Sequence, residues 1–171
     1  MPRLRLINPR NPLNGLVQTD VARRVTFGRK AIFMPLGLMV AAGVCPPDWQ
    51  VEIVDECTGP VAIDDKPDLV GITAMTCQAP RAYEIADAYR ALGVPVILGG
   101  IHPSALPEEA LRHATAVAVG EAESTLPQML ADFQAPPVPA AGVSGGRTQT
   151  CGRLAGIYRA TGRVSIATPR R

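Results

Sequence analysis

A chain of 171 residues with 47% hydrophobic content is long enough for one ordinary domain with a packed core, and at 4% aromatic content that core must be Val, Ile, Leu and Ala. The net charge of +2 conceals seven basic residues and one acid in 1–30, four basic residues and fourteen acids in 31–133, and six Arg without an acid in 134–171. Basic ends of this kind fold back on the acidic middle or neutralise a partner; the arginines are not interleaved with an aromatic run, so nucleic acid is not the expected ligand.

Arg3-Leu4-Arg5-Leu6-Ile7-Asn8 alternates polar and apolar and closes on Pro9. It predicts a first strand over 3–8, with Asn8, Pro9, Arg10, Asn11 and Pro12 as the loop at its carboxyl end. Residues 10–30 are polar, basic and rich in turn formers, and are expected as a loop over the mouth of a sheet. Arg23-Arg24 and Arg29-Lys30, ahead of the apolar run Ala31–Val44, imitate a targeting signal. That run lies well inside the chain, follows a strand, is interrupted by Pro35 and Gly37, and is too short to span a bilayer. It is expected as a buried helix over Pro35–Val44 with Leu36, Met39, Val40 and Gly43 toward the core.

Val51–Asp55 predicts the second strand, 56–67 a polar connection, and Asp68–Ala74 a third strand apolar on both faces, as in a covered parallel sheet. The next helix has Pro80 in its first turn and Ala82, Ile85, Ala86, Tyr89 and Leu92 on one face, and Gly93 ends it. Strand four covers 95–99. Pro107-Glu108-Glu109 opens a helix with acids where its dipole favours them, and His113 ends it. Strand five is Ala116–Val119, and a last helix over Glu123–Phe133 buries Leu126, Met129, Leu130 and Phe133. From Gln134 a Pro, Ala and Gly-rich linker begins, with a small hairpin expected after Arg153. The expected division is a domain over 1–133 and a linker with a basic tail over 134–171.

Strands alternating with helices predict βαβ units in a five-stranded parallel sheet of order 2-1-3-4-5. Ligands of such sheets sit outside the carboxyl ends of the strands, near the point where the order reverses. Here those ends read Thr73-Ala74-Met75-Thr76, Gly99-Gly100-Ile101-His102-Pro103 and Gly120-Glu121. Gly99-Gly100 admits a ligand where a Cβ would clash, and Gly71 is a second point of close approach; equally, the glycines serve a sharp strand-to-loop turn. No G-x-G-x-x-G follows strand one and no G-x-x-x-x-G-K-[ST] occurs. Neither His102 nor His113 has a Ser or Cys partner in sequence. Glu121 and Glu123 read as charge at a helix start rather than an acid–base pair. Cysteines at 45, 57, 77 and 151 lack C-x-x-C spacing, which excludes a cluster or zinc site held by a local motif and points to thiols in a reducing cytoplasm.

Four segments carry a resemblance: Asp68-Leu-Val-Gly-Ile-Thr-Ala-Met-Thr, Val96-Ile-Leu-Gly-Gly-Ile-His-Pro-Ser, Pro107-Glu-Glu-Ala-Leu and Val119-Gly-Glu-Ala-Glu. Together with Leu6-Ile-Asn-Pro and Pro35-Leu-Gly-Leu, and in this order over residues 3–133, they resemble the N-terminal cobalamin-binding domain of cobalamin-dependent radical S-adenosylmethionine enzymes. Gly152-Arg-Leu and Tyr158-Arg-Ala are similar to that family's link to its catalytic barrel. The resemblance implies a Rossmann-like sheet of flavodoxin-like order with helices on both faces, the corrin over its carboxyl edge and the nucleotide tail among small residues. It implies that Thr73 and Met75 lie beside the tail, with Gly99 and Gly100 as the family's Gly-Gly, and Thr76 is a further cofactor-binding candidate at the same strand end. Gly120 and Glu121 match the segment after strand five, and Asn8–Asn14 would form the loop under the corrin. His102 would hydrogen-bond the cofactor's periphery or the start of the next helix, without ligating cobalt, or equally would bond its own loop as a turn residue, and Gly100→Val would abolish binding while the fold survives.

The Asp-x-His-x-x-Gly of cobalamin methyltransferases and mutases is absent after strand one, so base-off binding without a histidine ligand is expected. The Cys-x-x-x-Cys-x-x-Cys of the radical enzymes is absent too. The chain is therefore expected to be a cofactor-carrying module that works with a radical S-adenosylmethionine catalytic domain or subunit, or a truncated product, and not a complete enzyme. The rival expectation is a flavodoxin-like interaction module that has lost the cofactor and binds a protein through its basic ends.

Overall fold

The computed structural model describes residues 1–11, 35–63, 65–136, 154–159 and 162–164. Strand β1 (Arg3–Asn8) precedes helix α1 (Leu36–Gly43) and β2 (Gln50–Asp55). Then come β3 (Leu69–Thr73), a 3-10 turn at Thr76–Gln78, α2 (Ala79–Ala91) and β4 (Val96–Gly99). Two short helices, α3 (Ile101–Ala105) and α4 (Pro107–Ala110), lead to β5 (Ala116–Val119) and α5 (Ala122–Gln134). A hairpin of β6 (Gly156–Arg159) and β7 (Gly162–Val164) completes the described chain. The described strands form one sheet in the order β2-β1-β3-β4-β5-β6-β7. All neighbours from β2 to β6 are parallel and only β7 is antiparallel.

The expected Rossmann-like order 2-1-3-4-5 is present, and two strands are added outside β5. The sequence reading closes the folded unit at residue 133. The sheet takes in residues 156–164, and Leu154, Ile157 and Tyr158 are buried in it. The linker run lies mostly outside the described residues, as do the basic loop with its paired Arg, Asn14 and the last seven residues of the tail.

Alternation of side chains along each strand divides the core in two. Ile7, Val70, Ile72, Val96, Leu98 and Val117 pack under Ala82, Ile85 and Tyr89 of α2. Leu4, Leu6, Leu69, Ile97 and Ala118 face the other way, toward Leu38 of α1 and Leu126, Met129 and Phe133 of α5. Gly93 (φ +78°) closes α2 in the left-handed conformation. Among the described residues no helix is long and apolar enough to cross a membrane.

Three expectations change. In α1 the buried residues are Leu38 and Ala41, while Leu36, Met39 and Val40 are exposed. A run apolar at nearly every position leaves the inward face to be chosen by packing against β1 and α5. The segment after Gly100, expected as loop, is the helical turn α3. Leu92 lies past the end of α2 and is 38% exposed, since the chain has already turned toward β4.

Arg5 ties the polar connection ahead of β3 to the sheet. Its position on β1 faces the α2 side, and its side chain is only 6% exposed. It donates to Glu52 at 2.9 Å, to Asp65 at 2.8 Å, to the Ala62 carbonyl at 3.0 Å and to Tyr89 Oη at 3.1 Å. These bonds draw the polar connection over the sheet and leave no donor of this buried cation idle. Arg3, with Arg5 beside it, holds the Asp65 carboxyl down at about 2, against an ordinary 3.8. A folded-state value below the unfolded one stabilises the fold above the unfolded value, and the gain is lost as pH falls through about 2. The urea midpoint of Asp65→Asn is therefore expected below that of the native chain near neutral pH, the two converging as pH falls to about 2. A gap that stays constant with pH would contradict the charge-based tether.

Candidate functional site

Outside the carboxyl ends of β3, β4 and β5, on the side of α1 and α5, lies a cleft of about 220 Å³. Strand register builds its floor. Leu6 pairs with Gly71, Gly71 with Ile97, and Thr73 with Gly99, and these positions share the parity that faces α1 and α5. At the edge, Thr73, Gly99 and Ala118 form a row of small side chains. A Cβ placed on Gly99 would lie 3.5 Å from that of Ala118, an ordinary contact. Gly37 and Ala41 of α1, with Ala122 and Leu126 of α5, make the opposite wall. Where large side chains would have filled the space between the sheet and these helices, this row leaves a narrow apolar slot.

The glycines at the mouth have different tasks. Gly100 has φ +95°, and a Cβ there would lie 2.7 Å from Thr73 Oγ1 and 3.0 Å and 3.1 Å from the Ala74 backbone nitrogen and oxygen. The fold itself demands this glycine. Gly99 carries no such constraint, so what its missing side chain preserves is the slot. Gly71 is intermediate, since a Cβ would press on the mobile end of Leu6 at 2.8 Å. Gly120 (φ +91°) turns the chain out of β5, and its N–H donates to Ser104 Oγ at 3.0 Å. Ser124 and Thr125 donate their hydroxyls to the Glu121 carbonyl at 2.9 Å and 3.1 Å, which fixes the start of α5. The carboxylates of Glu121 and Glu123 stand exposed at the rim.

Of the residues singled out from sequence, Gly71, Thr73, Gly99, Gly100, Gly120 and Glu121 line the cleft. Asn8, Pro9, Asn11, Met75, Thr76 and His102 do not. Three of these are joined by a residue the sequence reading missed, Gln78, which is 4% exposed. Its Nε2 donates to the Pro9 carbonyl at 2.6 Å and to Asn8 Oδ1 at 3.1 Å, and its Oε1 accepts from the Met75 N–H at 3.0 Å. Gln78 therefore clamps the loop after β1 to the turn after β3, across the point where the strand order reverses. Arg81 reinforces this through Glu56 at 2.6 Å, and Glu56 also accepts the Arg10 N–H at 2.9 Å. Those contacts hold the Glu56 carboxyl below its usual range, even though burial pushes it up.

His102 faces the opposite side of the sheet. Its Nε2 lies 3.0 Å from Tyr83 Oη and 3.4 Å from Glu109 in the first turn of α4. Tyr83 donates to Glu109 at 3.0 Å and stacks on His113 with ring centroids 4.2 Å apart. Burial, with Glu109 beside it, pushes the Tyr83 phenol up to about 12. His113 in turn meets Asp87 at 2.8 Å. Both histidines of the chain are thus engaged between α2 and α4. Among the described residues no three His, Cys, Asp or Glu side chains converge on a possible metal position.

Ile97 and Ala118 were also missed, although their parity with Gly71 and Gly99 marks them in the sequence. Around the same edge Met75, Ile101 and Leu36 expose apolar side chains that a flat apolar ligand would cover. The arrangement is an apolar slot that opens at the strand ends beside exposed apolar side chains.

The B12 binding domain family matches residues 25–130. The chain is 43% identical over 106 residues to bacteriochlorophyllide d C-8(2)-methyltransferase of Chlorobaculum tepidum, covering 61% of this chain and 23% of that protein. It is 36% identical over 120 residues to bacteriochlorophyllide d C-12(1)-methyltransferase of the same organism, covering 69% and 26%. An uncharacterized methyltransferase of Synechocystis sp. is 34% identical over 104 residues, covering 58% of this chain and 19% of that one. The chain thus spans about a fifth to a quarter of the length of these relatives.

Proposed function

We propose, for a chain that belongs to the B12 binding domain family, that it carries cobalamin base-off, with the nucleotide tail in the cleft and no protein nitrogen on cobalt. Its place is the cofactor-carrying module of a radical S-adenosylmethionine methyltransferase or cyclase-type system. The observation that carries this reading is the row Thr73, Gly99 and Ala118. It keeps open an apolar slot where the family's cofactor would insert its base, and a larger side chain at Gly99 would fill it.

The residues present fit the group. Leu6, Ile97 and Leu126 exclude water from the base, while Gly99 and Gly71 let the ring approach the sheet. Met75, Ile101 and Leu36 offer apolar support to the corrin body, and the Gln78 clamp holds the loop of Asn8, Pro9 and Asn11 beside it. His102 and His113 are both held against Tyr83, which supports a cobalt face free of imidazole. When bound, the cofactor supplies cobalt-centred methyl-transfer chemistry; the residues described here bind and orient it.

A catalytic domain or subunit outside this chain would supply the reaction, as the partial coverage of the longer methyltransferases suggests. Residues 1–133 are the cofactor-binding unit in this reading. The segment beyond is a linker and basic tail amended by one feature, the hairpin that returns to the sheet. Cys45 and Cys77 as thiols agree with a reducing cytoplasm.

Electron paramagnetic resonance of the bound cob(II)alamin state tests the binding mode. A protein-bound signal without nitrogen superhyperfine splitting is expected. Splitting that disappears in His102→Ala would make His102 the ligand. Splitting that survives in that variant would leave the cofactor's own base on cobalt and the cleft without its proposed occupant.

A further inference from the structure

The cleft's lining bears on which corrinoids it accepts. Its inner walls are Leu6, Gly71, Ile97, Gly99, Ala118 and Leu126, and the strand backbones behind them are committed to the sheet ladders. Polar atoms are few and poorly placed for a deeply inserted ring. Thr73, level with Gly99 in the β3–β4 ladder, brings the row its one hydroxyl, whose oxygen stands beside Gly100. Thr125 is fully buried and already donates to the Glu121 carbonyl at 3.1 Å. Glu121 and Glu123 remain at the solvent-exposed rim.

Resting on the cobalamin reading above, we infer that this cleft discriminates among lower bases. It accepts an apolar benzimidazole or phenol ring and rejects a purine that carries an amino group. A benzimidazole released from cobalt has one ring nitrogen to satisfy, and its apolar edge meets the inner wall. An adenine has further ring nitrogens and an amino group, more than the single Thr73 hydroxyl can meet, and in this slot the rest lose water without gaining partners. Burying such a group unpaired weakens binding by roughly 10-fold to 100-fold. A phenol-type base has no nitrogen to satisfy and loses nothing comparable. Ala118 is the residue through which the preference is set, because its methyl faces the slot beside Gly99.

The test titrates the chain with cobalamin, adeninylcobamide, p-cresolylcobamide and tail-less cobinamide. Quenching of its single tryptophan, Trp49, which packs on Phe133 with ring centroids 5.4 Å apart, reports binding. Expected are tight binding of cobalamin, p-cresolylcobamide within about threefold of it, and adeninylcobamide at least about tenfold weaker. In Ala118→Ser the added hydroxyl should narrow the gap between cobalamin and adeninylcobamide by about two- to tenfold. Equal affinity for cobalamin and adeninylcobamide in the native chain, or a gap unmoved by Ala118→Ser, would overturn the discrimination while leaving cobalamin binding intact. Cobinamide binding as tightly as cobalamin would empty the cleft of any tail. Failure of all four to bind would instead defeat the functional reading itself.

Discussion

Gly99→Val is expected to weaken cobalamin binding by up to about 100-fold while the chain stays folded. The first carbon added at this position meets Ala118 at 3.5 Å, so the strand accepts a β-carbon without strain. The two further methyls then occupy the slot itself. Overfilling a packed site costs about 1–3 kcal/mol, which here falls on the complex and not on the free protein. Sequence alone points to Gly100→Val for this experiment. The structure moves the test to Gly99, because a side chain on Gly100 would strike the Ala74 backbone and Thr73 at a positive φ and so destabilise the fold whether or not a ligand binds. Thermal unfolding separates the two variants. Gly99→Val should keep a midpoint close to native, and Gly100→Ala should lower it. Native cobalamin affinity in Gly99→Val would mean that the cleft is not where the tail goes.

Removal of residues 137–171 is expected to destabilise the fold by roughly 5 kcal/mol, at about 1.5–3 kcal/mol for each large apolar side chain withdrawn from the core. Leu154 and Ile157 are 1% exposed and Tyr158 is fully buried. Tyr158 also donates its hydroxyl to Asp132 of α5 at 2.7 Å. The truncation would bare the edge of β5, whose residues 116–119 pair with 156–159, and an unpaired apolar edge invites association. Such a loss is a large part of the stability of an ordinary domain. A truncated chain with an unchanged denaturation midpoint would show that the hairpin adds nothing to the core.

Much of this fold is written locally. The βα alternation, the face of α2 through Ala82, Ile85, Ala86 and Tyr89, the terminating Gly93 and the buried side of α5 all follow from periodicities within one element. The strand-end positions of Thr73, Gly99 and Gly120, and that of Gly71 inside β3, follow from the same reading, and all four line the cleft. What sequence does not carry is pairing at a distance. Nothing near Gly156 says that its strand will add to β5 after a Pro-rich run. Nothing near Gln78 says that its amide will reach Asn8 and Pro9, some seventy residues earlier in the chain. The facing of α1 is hidden for another reason. Leu36, Leu38, Met39 and Val40 are all apolar, so only the neighbouring β1 and α5 decide which of them is buried. His102 was placed at the strand ends by sequence, and there it is, but the turn of α3 carries its ring to Tyr83 and Glu109 and away from the cleft.

The central claim is that this chain holds cobalamin at the carboxyl edge of its sheet. Incubating the purified chain with hydroxocobalamin, desalting it and recording the visible spectrum tests that claim most directly. About one corrinoid is expected to be retained per chain, with the absorbance of a cofactor whose base has left cobalt, and to be lost in Gly99→Val. A colourless native protein after desalting would contradict it and favour the interaction module without a cofactor.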